Sequence, residues 1–302
     1  AVSKDEKIDL LMQISKVLQK DKAIKVAQSG MGFRKEHQYL ANSEGSYIEQ
    51  VLMRSGAGFS ATAVGNGDTQ IRSFPSAFGG QYCAMGYELV NSLRLVENAV
   101  RVRKEAVALL KAPVCPSGKK DLILGGSQLA LQIHESTGHP TELDRILGWE
   151  ANMAGTSFVT PEAIGKLKYG SDIVNLTANN ALEGGMATWG YDDDGVPGRK
   201  WPIVENGVLV GVTTSRETAG LIGLDASAGS CRADSFSSVP ITRIPNLYME
   251  PGKGDETAED IIANTDKGIY IKGMGSFSID QRRVNFQFGG DYFQMIENGK
   301  LT

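Results

Sequence analysis

The sequence has few cysteines, no basic excess and no long apolar run, and each absence argues against a class of protein. The three cysteines, Cys83, Cys115 and Cys231, are widely spaced and odd in number, which argues against a disulfide framework and for a reducing compartment. The net charge of −4 provides no basic surface for nucleic acid. No apolar run approaches the length of a membrane span, and residues 1–10 lack the apolar core of a signal peptide. We therefore expect a cytoplasmic globular protein without nucleic-acid or membrane partners.

Histidine is equally scarce, yet two of the three histidines flank one short motif, His134-Glu135-Ser136-Thr137-Gly138-His139. Imidazoles suit zinc, and a catalytic zinc site has a third protein ligand and one position open to water. A glutamate directly after the first histidine is placed to take the proton of that water. The motif thus predicts His134 and His139 as zinc ligands and Glu135 as the catalytic base. In the alternative interpretation, both histidines are ordinary polar residues near a helix end.

The spacing of the two histidines differs from that of the common H-E-x-x-H motif, in which they are four residues apart on one helix face. Five residues of regular α-helix would rotate His139 roughly 140° away from His134. A shared metal therefore requires a π-bulge between them, or a helix that ends at His139 because Pro140 disfavours the α conformation of the preceding residue. Ser127 is the expected N-cap of this helix.

The first part of the chain predicts an α+β domain over residues 1–112. Ser3 and Glu6 form a capping-box pattern at the start of the first helix. The predicted elements are, in order, a helix over residues 3–20, five short strands between residues 24 and 72 with hairpin turns at 42–45 and 65–68, and one long helix from Tyr87 to Leu110. Helix, antiparallel strands and helix together make a self-contained unit.

Two prolines and a glycine between residues 111 and 118 predict an interdomain linker. The remaining residues, 113–302, predict a larger, mainly antiparallel β domain that carries the motif helix. Asn206-Gly207 and Asn298-Gly299 are typical of two-residue hairpin turns. Only three residues follow the second of these turns, which is too few for the returning strand of a hairpin, so we expect the protein to continue beyond Thr302.

Three further candidates have less support as functional residues. Cys231 is a weak candidate for a third metal ligand, and we expect it to be a buried small hydrophobic residue. His37 is interpreted as a solvated strand residue. The run Asp192-Asp193-Asp194-Gly195 lacks the ligand spacing of a calcium-binding loop, and a hairpin turn at the mouth of the site is expected instead.

The motif and the residues that follow it, HESTGHPTELD with Asp144 five residues after the second histidine, resemble the TldD/PmbA family, and specifically its TldD-type member. Residues 1–112 resemble the central domain of that family. Further segments resemble family segments in the same order along the chain: Glu150-Ala151 to Gly155-Thr156-Ser157-Phe158, Tyr191 to Gly195, Glu205-Asn206-Gly207, Arg216-Glu217-Thr218-Ala219, Arg243 with Asn246, and Pro251-Gly252.

The resemblance implies a zinc peptidase that acts on unfolded or leader-like peptides together with a paralogous TldE/PmbA-type subunit or as a homo-oligomer. It also implies a cysteine near the C-terminus as third zinc ligand and an N-terminal domain, neither of which has a counterpart in these 302 residues. The alternative is therefore a catalytically incomplete fragment or a non-catalytic assembly subunit of the same fold. We expect an extended peptide substrate to bind an open sheet edge near Glu135, supplied by the glycine-rich strands after Gly268.

Overall fold

The computed structural model describes residues 2–302, and its first third is an antiparallel sheet packed against helices. The sheet has the strand order β1-β2-β3, and β4 pairs with β2 beyond the end of β3. The elements of this part are α1 (Lys4–Leu18), β1 (Ile24–Ala41), β2 (Tyr47–Gly65), β3 (Asp68–Phe74), β4 (Gln81–Cys83), α2 (Tyr87–Ser92) and α3 (Leu95–Leu109).

The start of α1 agrees with the sequence analysis, and one face of the helix is buried. The Ser3 side chain accepts a hydrogen bond from the backbone N–H of Glu6, whose own side chain bonds back to the N–H of Ser3, so the predicted capping box is confirmed. Ile14 and Leu18 are fully buried against α3 and the sheet, where their burial contributes roughly 1.5–3 kcal/mol each.

The five predicted strands are merged into three, because several glycines lie inside strands rather than in turns. A Cβ at Gly56 would lie 2.2 Å from the ring of Tyr82, and one at Gly58 would lie 2.4 Å from the backbone of Gly80. These glycines let a neighbouring segment approach β2 closely. The hairpin turn at residues 65–68 is confirmed, with Asn66 and Gly67 at positive φ.

The predicted single helix from Tyr87 to Leu110 is wrong, because Arg94 adopts a left-handed conformation (φ 46°) and separates α2 from α3. The side chain of Asn98 donates to the carbonyl oxygens of Leu93 and Arg94 at the break. The buried residues of α3 are Leu95, Ala99, Val102 and Ala106.

The rest of the chain consists of small, mostly antiparallel sheets and short helices, which confirms the α+β class with antiparallel sheets. Its elements are β5 (Leu122–Leu124), α4 (Gly126–Ile133), α5 (Leu143–Ile146), β6 (Leu176–Asn179), β7 (Lys200–Glu205), β8 (Val208–Leu209), α6 (Arg216–Ala219), β9 (Cys231–Arg232), β10 (Ile241–Thr242), β11 (Leu247–Met249), α7 (Ala258–Ala263), β12 (Lys267–Lys272), β13 (Phe277–Ile279), β14 (Phe286–Phe288), β15 (Tyr292–Glu297) and β16 (Lys300–Leu301). Two four-stranded sheets have the orders β11-β6-β7-β8 and β16-β15-β12-β5, and β9–β10 and β13–β14 are two-stranded. Only β5 and β12 are parallel among the strand pairs of residues 2–302.

Helix α4 is held in place at both of its ends. At its start, a Cβ on Gly125 would lie 3.2 Å from the carbonyl oxygen of Ile271, so glycine permits close packing on β12. Ser127 is not the N-cap; Gly125 occupies that position, and the Ser127 hydroxyl accepts a hydrogen bond from Gly273 N instead. At its end, Ile133 packs into an apolar cluster with β6, β7 and β8.

A buried arginine connects the first third of the chain to the rest. Arg72 of β3, whose side chain is 4% exposed, donates to Glu105 of α3 at 2.7 Å and pairs with Asp291, next to β15. The same Asp291 carboxylate accepts the backbone N–H of Ser73.

Within residues 2–302, none of the helices combines the length and the hydrophobicity that a membrane span requires.

Candidate metal centre

The α-helical backbone changes to a π-helix over His134–Gly138, directly after α4, and then to a 3₁₀-helix over His139–Thr141. The backbone N–H of His139 donates to the carbonyl oxygen of His134, five residues back. The wider turn adds one residue and returns His139 to the side of His134, with ring centroids 4.7 Å apart. The predicted interruption between the two histidines is therefore confirmed.

Tertiary contacts hold the π-turn in this conformation. A Cβ on Gly138 would lie 2.7 Å from Cδ1 of Ile244, so glycine allows that side chain to pack against the turn. The hydroxyl of Tyr169 donates to the carbonyl oxygen of Ser136. The hydroxyl of Thr141 donates to the carbonyl oxygen of Thr137 at 2.7 Å. These bonds satisfy carbonyl groups that the wider turn frees from the α-helical pattern.

The turn brings the three predicted site residues together. One ligand atom from each of His134, Glu135 and His139 lies within 4.8 Å of the others, and Glu135 Oε2 is 3.9 Å from His139 Nε2. Glu135 and His139 are buried, whereas His134 is exposed. Two neighbouring imidazoles are donors that suit zinc, and the carboxylate beside them is a proton acceptor. The residues present therefore fit a zinc ion.

The His134 ring is neutral over the physiological pH range. Partial desolvation by the surrounding chain lowers the pKa of the His134 ring to about 4, and repulsion between the two rings when His139 is protonated acts in the same direction. Arg243 and Arg283 act in the same direction. A neutral imidazole is the form that binds a metal.

Glu142 is an important residue of the site that the sequence analysis did not identify. Its fully buried carboxylate accepts a hydrogen bond from Nδ1 of His139 at 2.8 Å, which in the neutral ring places the lone pair on Nε2, the nitrogen left to bind a metal. Arg145 contacts the same carboxylate, and Arg243 lies 3.8 Å from it. Burial alone would raise the pKa of Glu142, but the bond to His139 and the two guanidinium groups outweigh it and lower the pKa.

A second layer of buried charge surrounds Glu142. Asp144 accepts hydrogen bonds from the backbone N–H groups of Arg145 and Thr242, but burial, together with the negative charges of Glu150 and Glu142, raises its pKa to about 7. Glu150 lies 3.5 Å from Arg145 and is the second carboxylate partner of that guanidinium. The Asp144 of the family-like motif is thus a buried group behind the histidines, outside the His–Glu–His cluster.

Arg283 is the other residue that sequence analysis missed. It lies in the turn between β13 and β14, and its Nη1 is 3.8 Å from Glu135 Oε2. Its Nη2 donates to the carbonyl oxygen of Ala154 at 3.2 Å. No local sequence pattern connects this turn to the motif, whereas Glu142 is three residues from His139 and could have been found by its helical spacing.

The remaining candidates lie outside the cluster. Cys231 is 2% exposed, its pKa is raised mainly by burial, and it is a buried small residue as expected. His37 is exposed on β1 and pairs with Glu49. Asp192 begins a turn with Gly195 at positive φ, and its carboxylate accepts three backbone N–H groups, including that of Cys231. Structural hydrogen bonds therefore occupy this carboxylate.

The chain matches two family models along almost its whole length. Residues 1–112 match the PmbA/TldA metallopeptidase central domain and residues 117–302 match the PmbA/TldA metallopeptidase C-terminal domain. Both matches assign to this chain the fold of PmbA/TldA metallopeptidase domains. The chain belongs to the PmbA/TldD family.

Individual relatives agree with this assignment. A metalloprotease of Methanocaldococcus jannaschii is 34% identical over 262 residues, which cover 86% of this chain and 53% of the relative. A zinc metalloprotease TldD homolog of Saccharolobus solfataricus is 26% identical over 219 residues, 72% of this chain and 46% of the relative. TldE from Thermococcus kodakarensis has the same fold, with a TM-score of 0.73 at 22% identity. The superposition covers all of this chain and 64% of TldE. The chain spans about half the length of the curated relatives it matches.

Proposed function

We propose that this protein is a zinc-dependent peptidase that hydrolyses unfolded or leader-like peptides, with His134 and His139 as zinc ligands and Glu135 as the general base. The observation that carries the proposal is the π-turn, because it brings together His134 and His139, which a regular helix would separate, with Glu135 beside them. The names of the Methanocaldococcus and Saccharolobus relatives support a metalloprotease, and the second supports zinc.

A bound zinc ion supplies a Lewis acid that makes water acidic enough to lose a proton near neutral pH. Glu135 takes that proton and returns it to the leaving amine, which contributes roughly 10²–10⁴-fold to the rate. Glu142 holds the His139 ring with Nε2 facing Glu135, so the motif keeps its geometry without substrate.

A sheet edge near the site supports binding of an extended peptide. Strand β12 is paired on both sides, by β15 and β5, so it offers no free edge along the paired residues. The outer edges of the β13–β14 hairpin have no strand partner within residues 2–302, and its turn carries Arg283 next to Glu135. Backbone hydrogen bonds along such an edge bind peptides with little sequence preference.

The partner and the third ligand belong to the proposal. A TldE/PmbA-type subunit or a second copy is the proposed partner, supported by the shared fold with TldE. The third ligand is the cysteine that the family resemblance implies, and three free cysteines support a reducing, cytoplasmic location.

The test is a pair of substitutions in the complete protein. Glu135→Gln keeps the shape of the side chain but removes the base, so zinc content should survive while cleavage of an unfolded peptide falls by at least about 10²-fold. His134→Ala should lose both zinc and cleavage, because a ligand is gone. His37→Ala is the matched control, since that histidine is exposed, pairs with Glu49 and is not part of the His–Glu–His cluster, and it should change neither. A Glu135→Gln protein that cleaves at the wild-type rate would show the mechanism to be wrong.

A further inference from the structure

Arg283 borders the atoms that react in the proposed hydrolysis. Its side chain is 14% exposed, and its Nη1 lies 3.8 Å from Glu135 Oε2. A general base must lie within about 3 Å of the water whose proton it takes. The carbonyl group attacked by that water is therefore next to Glu135 and within reach of the guanidinium.

The guanidinium of Arg283 has donors to spare. Its separation from Glu135 is too long for a hydrogen bond, and its Nε is buried without a partner in the described chain. The bond from Nη2 to Ala154 uses one of its five N–H groups. By contrast, Arg145 is paired with two carboxylates, and Arg243 faces Glu142 rather than Glu135.

The turn that carries Arg283 is strained and firmly held. Arg283 has a φ of 65°, a left-handed conformation that is unfavourable for a residue with a side chain. The Asp280 carboxylate accepts the N–H of Asn285 at 2.8 Å, and Thr156 N donates to the carbonyl oxygen of Gln281 at 2.9 Å. Strain held by its surroundings is characteristic of functional sites. The donor is thus fixed before a substrate binds, as electrostatic stabilisation of a transition state requires.

We infer that Arg283 is a further catalytic residue, which donates a hydrogen bond to the carbonyl oxygen of the peptide bond being cleaved; this inference rests on the proposed peptidase function. The water oxygen forms a bond to the carbonyl carbon, Glu135 keeps the proton, and the C=O electron pair moves onto the oxygen. Arg283 stabilises that negative charge. The C=O bond then re-forms, the C–N bond breaks, and the amine takes the proton from Glu135.

An acidic side chain of the substrate is the other anion that a guanidinium binds well. The closeness of Glu135 favours the carbonyl oxygen, because a carboxylate held beside Glu135 would be repelled by its charge. The carbonyl oxygen is neutral in the bound substrate and becomes negative only during the reaction, so Arg283 acts on the rate rather than on substrate affinity.

The experiment compares wild type, Arg283→Gln, Arg283→Gly and the control Arg282→Gln in the complete, zinc-loaded protein. Arg282 is exposed in the same turn, so its substitution removes the same charge without touching Glu135. Both Arg283 variants should lose about 10²–10³-fold in kcat with KM changed less than about threefold, while zinc content stays constant. Arg283→Gly relieves the left-handed strain, so it should be at least as stable as wild type and still slow. Binding of a phosphinic peptide, which carries the charge of the tetrahedral intermediate, should weaken about 10²-fold in both.

The possible outcomes separate this inference from the proposed function. Arg283 variants with the kcat of Arg282→Gln would overturn the role of Arg283 while Glu135→Gln still tests the peptidase. A loss confined to KM, and only for peptides with an acidic residue, would overturn it in favour of carboxylate recognition. A wild-type protein that neither cleaves peptides nor binds the phosphinic peptide would reject the peptidase and the role of Arg283 with it.

Discussion

Substitution of Glu142 by glutamine tests whether this buried carboxylate, rather than packing alone, sets the His139 ring. The amide has nearly the same shape and still accepts from Nδ1 of His139, but it loses the charge that strengthens the 2.8 Å bond. Loss of such a partner typically reduces metal affinity by 10–100-fold, or about 1.4–2.7 kcal/mol. Arg145, 2% exposed, also loses one of two carboxylates, so the metal-free protein should lose about 3 kcal/mol of stability.

Glu150→Gln is the matched control for Glu142→Gln. It removes a negative charge from the same guanidinium but does not contact either histidine. Zinc affinity measured by competition with a chelating dye should fall only for Glu142→Gln, whereas urea denaturation of the metal-free protein should show a loss for both. Equal zinc affinities in the two variants would refute the argument that the charge of Glu142 acts through His139.

Three further predictions concern the π-turn and a buried aspartate. Gly138→Ala should cost about 1–3 kcal/mol in urea denaturation and lower zinc affinity, and adding Ile244→Ala should recover part of that affinity, because the clash is with this side chain. Tyr169→Phe should lower the free energy of unfolding by about 1 kcal/mol in the same assay, because it removes the hydrogen bond to the carbonyl oxygen of Ser136. An unchanged free energy of unfolding would contradict this role of the hydroxyl. Burial raises the pKa of Asp192 from 3.8 to about 6, so between these two pH values the folded state binds more protons than the unfolded state. As pH rises from below 3.8 to above 6, the free energy of unfolding of wild type relative to Asp192→Asn should therefore fall by about 3 kcal/mol. A difference that does not change with pH would contradict the shift.

The sequence predicted those structural features that depend only on residues close together in the chain. The Ser3–Glu6 capping box is satisfied within one turn of helix, so it needs no tertiary contact. The interruption between His134 and His139 was predictable, because a shared site is geometrically impossible on a regular helix. The functional roles of these histidines and of Glu135 stay predictions, as does the division into domains at residue 112.

Tertiary contacts decided what the sequence could not predict. Gly56 is a strand residue because Tyr82 packs over it, and a glycine in a sequence predicts a turn equally well. Arg94 has a left-handed backbone without any glycine to announce it. Arg283 reaches Glu135 only because the hairpin β13–β14 folds back over the motif, and spacing along the chain contains no information about that approach.

The buried Arg72 has a consequence for how the molecule loses its structure. Its two carboxylate partners belong to segments far apart in the chain, Glu105 in α3 and Asp291 beside β15. If either segment unfolded alone, the guanidinium of Arg72 would stay buried without one of its carboxylate partners, which typically costs about 3–5 kcal/mol. Partial unfolding is therefore penalised, and hydrogen exchange of the amides in β3 and β15 should follow one shared opening event. For the peptidase proposed above, whose substrates are unfolded peptides, this resistance to partial unfolding would limit cleavage of one copy by another.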